Sequence, residues 1–140
     1  MTIMLGTVDH IGMAVKDIEK SILFFQEVFG AKLLRKNVVE EQKLISGVVS
    51  LGSINVELMQ STENNSIIDK FIKKNGEGVH HMSIQVEDLD RFLGELESKN
   101  IRILSKLANN DYKIAFIHPE SAFGVLIEVI ERLNASNKKG

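Results

Sequence analysis

The chain has 140 residues, 44% of them apolar and 26% charged, with a formal charge of −2 at pH 7. Those values suit a globular protein with a real core, and no basic stripe marks a nucleic-acid partner. Cysteine is absent, which excludes disulfides and thiolate metal sites, and no apolar run approaches the ~20 residues of a membrane-spanning helix, so a soluble cytoplasmic protein with no membrane partner is expected.

Residues 8–15 alternate apolar and polar and predict a strand. Asp17 is a good helix N-cap, with Ile18, Ile22, Phe25 and Phe29 at helical spacing behind it and Gly30 placed to end the helix. Strand-like runs follow at 31–36, 44–51 and 54–59, the last two joined through Gly52-Ser53. Ser66 can cap a short linking helix whose apolar face is Ile67, Ile68, Phe71 and Ile72, and Asn75-Gly76-Glu77-Gly78 closes the first half. The second half reads as a strand at 79–86, an Asp88-capped helix with Leu89, Phe92, Leu93 and Leu96 on one side, and strands at 101–104, 113–118 and 124–130. This is βαβββ written twice: an α+β fold of two paired modules forming a curved, partly open mixed sheet, with helices packed outside. The expected organisation is one domain over 5–133, with module one at 5–61, a linking helix region at 62–78, module two at 79–133, and a polar tail at 134–140.

The two halves match at a fixed offset. The stretch Val8-Asp9-His10-Ile11-Gly12-Met13-Ala14-Val15 reads like Val79-His80-His81-Met82-Ser83-Ile84-Gln85-Val86, and the shift that takes His10 to His81 also takes Glu57 to Glu128. Strand side chains alternate between faces. His10 then shares a face with Gly12 and Ala14, His81 with Ser83 and Gln85, and each His or Glu lies opposite an apolar row suited to a helix. One such His is ordinarily a surface or hydrogen-bonded core residue. Four residues obeying one symmetry operation and one facing rule point instead to a divalent-metal site of two imidazoles and two carboxylates at the centre of the sheet. Two buried carboxylates with no cation would also be costly. His80 falls on the other face and reads as structural. His118, before Pro119 at a strand end, reads equally as a substrate-pocket or a turn residue.

These residues resemble the vicinal oxygen chelate superfamily, which includes glyoxalase I, extradiol dioxygenases and methylmalonyl-CoA epimerase. The likeness covers about residues 7–132 and is strongest to the epimerase family. It is carried by Asp9 to Val15, by Val39-Glu40-Glu41-Gln42, by Gly76-Glu77-Gly78-Val79-His80-His81, and by His118-Pro119-Glu120-Ser121 with Gly124-Val125-Leu126-Ile127-Glu128. The chain departs from the family pattern at Lys43, at Leu107-Ala108-Asn109-Asn110-Asp111 and at Glu120.

The resemblance implies epimerisation at C2 of methylmalonyl-CoA through an enolate. One divalent ion (Co, Mn, Ni or Zn) would be held by His10, Glu57, His81 and Glu128. Glu128 would also move a proton. The second carrier would be Glu41, which reads equally as a solvated turn residue, or Glu57 released from the ion. The resemblance places a Glu of some relatives near the position of Ser46, and no carboxylate lies between Leu44 and Leu51 here. Gln42, Ser83, His118 and Ser121 are expected at the acyl-CoA substrate, and a homodimer is expected. Two rival readings are glyoxalase I, acting on a glutathione hemithioacetal, and a metal-free binding protein of the bleomycin-resistance type. The first lacks an obvious basic cluster for glutathione's carboxylates; the second needs no metal tetrad.

Overall fold

A computed structural model describes residues 5–133, so the expected polar tail at 134–140 lies outside the described residues. The described chain contains eight strands and three α-helices: β1 (Thr7–Ala14), α1 (Ile18–Phe29), β2 (Lys32–Val39), β3 (Leu44–Ser50), β4 (Asn55–Ser61), α2 (Ile67–Asn75), β5 (Gly78–Gln85), α3 (Leu89–Leu96), β6 (Ile103–Ala108), β7 (Tyr112–Ile117) and β8 (Ile127–Arg132). The βαβββ order occurs twice, as the sequence predicts. The chain divides into two compact units, one made of residues 10–80 and the other of 5–9 with 81–133, so that the boundary cuts β1 after Asp9 and β5 after His80. The strands of each unit form a mixed sheet, with β2 at an edge of one and β6 at an edge of the other.

In the unit of residues 10–80 the strands run in the order β2-β3-β4-β1, with β1 and β4 parallel and the β2/β3 and β3/β4 pairs antiparallel. Helix α1 starts where Asp17 accepts from the Lys20 amide at 3.1 Å, and it stops at Gly30, whose φ of 69° puts it in the left-handed region that glycine enters at little cost. Ile18, Ile22 and Phe25 pack against Val15, Val49, Val56 and Leu58, with Met13 and Ile45 at the margin. These are the β-strand residues that point away from His10 and Glu57. Gly47 lies under the helix, where an added Cβ would meet Ile18 and Ile22 Cδ1 at 3.2 Å, so its missing side chain lets the helix sit close. Helix α2, capped by Ser66, packs elsewhere: Ile68 meets Ala14, Leu44 and Met59, which lie on the His10 side, and so covers one end of that face.

In the other unit the order is β5-β8-β7-β6, with β5 and β8 parallel. Asp88 caps α3 through the Arg91 amide at 3.1 Å, and Leu89, Phe92 and Leu93 pack on Val86, Ala115, Ile117, Ile127 and Val129. The duplication extends to individual bonds. Ile18 N donates to Gln60 Oε1 at 2.8 Å, and Leu89 N donates to Glu131 Oε1 at 2.9 Å, so the last strand of each module satisfies an orphan amide at the start of its own helix. Likewise Val15 N bonds Met59 O, and Val86 N bonds Ile130 O, both at 2.9 Å.

The strand limits differ most in the second module. Strand β6 starts two residues later than expected because the backbone of Arg102 is engaged by the 118–121 loop: its amide donates to Ser121 Oγ and its carbonyl accepts from His118 N. Strand β8 starts three residues later than expected because Phe123 and Gly124, with φ of 58° and 91°, form a turn that no strand accommodates.

Arg132 and Asp9 form a two-pronged ion pair in this unit, with Nε–Oδ1 at 3.0 Å and Nη2–Oδ2 at 2.7 Å. Their side chains are 12% and 4% exposed. The Asp9 carboxylate raises the pKa of the guanidinium above its ordinary value, against the opposing pull of burial. Removing one partner strands the other charge. Asp9→Asn is therefore expected to lower unfolding free energy by about 3–5 kcal/mol, read as a fall in the urea midpoint, and a loss below ~1 kcal/mol would contradict this account.

Candidate functional site

The sequence-predicted residues divide between the two units. In the unit of residues 10–80, His10 stands on β1 and Glu57 on β4. Parallel pairing sets Gly12, which has no side chain, beside Glu57. His10 Nε2 lies 3.5 Å from Glu57 Oε1. The other carboxylate oxygen, Oε2, accepts from Ser46 Oγ at 2.7 Å. Ser46 is buried on β3, where it shares a face with Glu57. Histidine and carboxylate present their ligand atoms together, a donor set suited to a divalent first-row ion, and the serine fixes the carboxylate's rotation as outer partners of metal ligands do.

The other unit carries the second pair. His81 on β5 and Glu128 on β8 are both buried, and they occupy the face away from α3. Parallel pairing sets Ser83 directly beside Glu128, and Ser83 Oγ donates to Glu128 Oε1 at 2.7 Å. Ser83 is 0% exposed and Glu128 9%, whereas the Glu57 side chain is 25% exposed. The duplicated carboxylates thus share a position and a hydroxyl partner, but that hydroxyl comes from different neighbours. It comes from the antiparallel strand β3 for Glu57 and from the parallel strand β5 for Glu128. Where β5 supplies Ser83, β1 supplies Gly12.

The remaining candidates lie in loops. Glu41 and Gln42 sit in an exposed 3-10 turn, Glu40–Gln42, which ends at Lys43 with φ of 58° and leads into β3. His118 caps a second such turn, Pro119–Ser121, with Nδ1 accepting from the Glu120 amide at 2.9 Å. Ser121 Oγ is the acceptor for Arg102 N. Both thus have well-defined structural partners within the loop that precedes β8. His80 packs edge-on against Phe71 of α2, with ring centres 5.0 Å apart. Burial lowers its pKa below the ordinary imidazole value, and the charge of Glu57 opposes that shift.

Sequence reasoning missed two interactions. Ser46 was noticed only for the carboxylate it lacks, although a serine between Leu44 and Val48 on one strand face is a visible interruption of an apolar row. The Asp9–Arg132 pair had no signal in the repeat, because the position equivalent to Asp9 is His80.

Residues 7–129 match the model of the Glyoxalase/Bleomycin resistance protein/Dioxygenase superfamily. The chain belongs to this superfamily, and within it to the family of the methylmalonyl-CoA epimerases. It is 34% identical over 129 residues to the mitochondrial methylmalonyl-CoA epimerase of Bos taurus, an alignment covering 89% of this chain and 74% of that one. Among solved structures, methylmalonyl-CoA epimerase from Mycobacterium tuberculosis superposes with a TM-score of 0.83 at 29% identity, covering 94% of each chain. A Streptomyces coelicolor methylmalonyl-CoA epimerase variant in complex with 2-nitronate-propionyl-CoA gives 0.84 at 27% identity, covering 94% of this chain and all of that one. No helix among the described residues is long and apolar enough to cross a membrane.

The buried bond between Ser83 and Glu128 yields a direct expectation. Ser83→Ala leaves a buried carboxylate oxygen short of a donor and should destabilise the fold by about 1–3 kcal/mol, measured by urea unfolding; an unchanged midpoint would show that Glu128 does not depend on Ser83.

Proposed function

We propose that the chain is a metal-dependent methylmalonyl-CoA epimerase in which His10, Glu57, His81 and Glu128 act as one ligand set for a single divalent ion, with residues 5–133 working as one domain. The observation that carries this reading is the repeated placement of one histidine and one hydroxyl-supported glutamate on the side of each module that faces away from α1 or α3. Kinship with the epimerases supports the choice of substrate, an acyl-CoA. Two imidazoles and two carboxylates suit Co, Mn, Ni or Zn and do not discriminate among them.

The chemistry follows from the substrate. C2 of methylmalonyl-CoA lies between a thioester carbonyl and a carboxylate, and removing its proton gives an enolate. The ion, when bound, supplies a Lewis acid for the negative charge on the thioester oxygen. The chain supplies the proton traffic. Glu128 takes the C2 proton on one face of the enolate. A free glutamic acid has a pKa of ~4.3, so this role calls for an environment that suits the carboxylate to proton exchange near neutral pH. Ser83 holds one oxygen of Glu128, which limits the rotation of the carboxylate. Ser83 therefore acts through Glu128. His118, Ser121, Glu41 and Gln42 lie in loops and belong, in this reading, to the rim that receives the acyl-CoA; Glu41 is an alternative second proton carrier from that rim.

The test is deuterium exchange at C2 of methylmalonyl-CoA with and without chelator, run beside a methylglyoxal and glutathione assay. Exchange and inversion should need the metal, and the glutathione assay should be silent. Glu128→Gln should lower inversion by about 100-fold or more with the urea midpoint little changed, and near-normal turnover in that variant would remove Glu128 from its role. Lactoylglutathione formation in place of C2 exchange would transfer the chain to the glyoxalase I reading.

A further inference from the structure

Helix α1 is apolar on two sides. Ile18, Ile22 and Phe25 are buried against the strands. On the opposite side Lys20, Leu23, Phe24, Glu27 and Val28 follow the i, i+3, i+4, i+7, i+8 spacing of a single helix face, and all five are exposed. The outward face of a helix is ordinarily polar, and a helix apolar all round is ordinarily covered on both sides. The Phe24 ring stands edge-on to Phe25 and Phe29, with ring centres 5.3 and 5.9 Å away, so the exposed rings form one packed cluster. Leu33 extends it: this residue pairs with Val49, which packs under α1, and so lies on the α1 side of the edge strand β2. Leu23, Phe24, Val28, Phe29 and Leu33 are between 41% and 61% exposed. Isolated apolar residues are normal on a surface, whereas a contiguous group marks a contact.

The charges on this face say what covers it. Glu19 of α1 is engaged by Lys36 of β2. Lys20 and Glu27 stand one on each side of the apolar centre at Leu23 and Phe24. A second copy of the face, turned so that the two helices run antiparallel, sets Lys20 against the partner's Glu27 and Glu27 against the partner's Lys20. The same turn lays Leu23 over the partner's Phe24. A parallel arrangement would instead oppose like charges at both positions, which disfavours it. The face is therefore complementary to itself, as a two-fold contact requires. We propose that the outer face of α1, with Phe29 and Leu33, is the contact between two copies of this chain, related by a two-fold axis that passes beside Leu23 and Phe24. This gives the expected homodimer a surface and does not depend on the epimerase chemistry. The five apolar side chains offer on the order of 500 Å² per copy, the larger part of the ~800 Å² per partner of a standard interface, and the charged rim supplies the remainder. His10 and Glu57 point to the other side of the strands from α1, so this contact leaves their face open in each copy.

The experiment is sedimentation equilibrium on the full chain from about 1 to 100 μM, with circular dichroism alongside to report folding. Wild type should be a dimer across most of this range. Phe24→Glu, which puts a charge at the centre of the contact, should raise the dimer Kd about 100-fold or more. Lys20→Glu and Glu27→Lys each oppose like charges across the axis and should each weaken the dimer about ten-fold. Carrying both exchanges in one chain should restore it. Mixing the two single variants should restore it as well, because each then meets the opposite charge on the other. These charge exchanges lie on the exposed face, so they decide the matter even if Phe24→Glu does not fold. A monomeric wild type would overturn the proposal and leave the face to a different protein. A dimer indifferent to Phe24→Glu would place the contact elsewhere. Loss without restoration in the double exchange and in the mixture would overturn the antiparallel pairing.

Discussion

A carboxylate that leaves water must be met by donors or by a cation, and Glu57 and Glu128 both stand on sheet faces whose neighbours are largely apolar or small. Desolvation of such a group costs several kcal/mol even after relaxation. The fold answers this cost locally and twice, with a serine hydroxyl at 2.7 Å from each carboxylate. The hydroxyl reaches Glu57 from the antiparallel strand β3, and it reaches Glu128 through the parallel pairing of the first and last strand. That parallel pairing, present in both modules, brings the residue two places after each histidine, Gly12 or Ser83, level with the glutamate. Alternation along the same strands sends the flanking apolar residues to α1 or α3, so those two helices stabilise their units from the side opposite the glutamates.

Much of this was legible in the chain. Helix starts were announced by Asp17, Ser66 and Asp88, each of which accepts from a backbone amide three residues on, and Gly30 was readable as a stop because few other residues adopt its backbone angles readily. The facing of His10, Glu57, His81 and Glu128 followed from a two-residue period, which is a geometric property of strands and survives errors in their limits. The superfamily and the likeness to epimerases were readable from the His10, His81 and Glu128 motifs and agree with the family match. Other features were hidden because they are set by partners distant in sequence. The start of β6 depends on Ser121 and His118, and the start of β8 depends on a left-handed pair at Phe123 and Gly124. The position of α2 over Ala14, Leu44 and Met59 could not be read from its amphipathic pattern, which shows that a face is buried but not against what.

The two hydroxyl supports also bear on how the halves can change. Modules descended from one copied ancestor begin with the same surroundings, and any improvement to one carboxylate's neighbourhood has an obvious mirror in the other. Here the supports come from different strands, β3 for Glu57 and β5 for Glu128, so a substitution that adjusts one has no counterpart in the other. The duplicated acids can therefore drift toward unlike duties while the shared scaffold stays intact, and specialisation within a single polypeptide becomes open to single-residue steps.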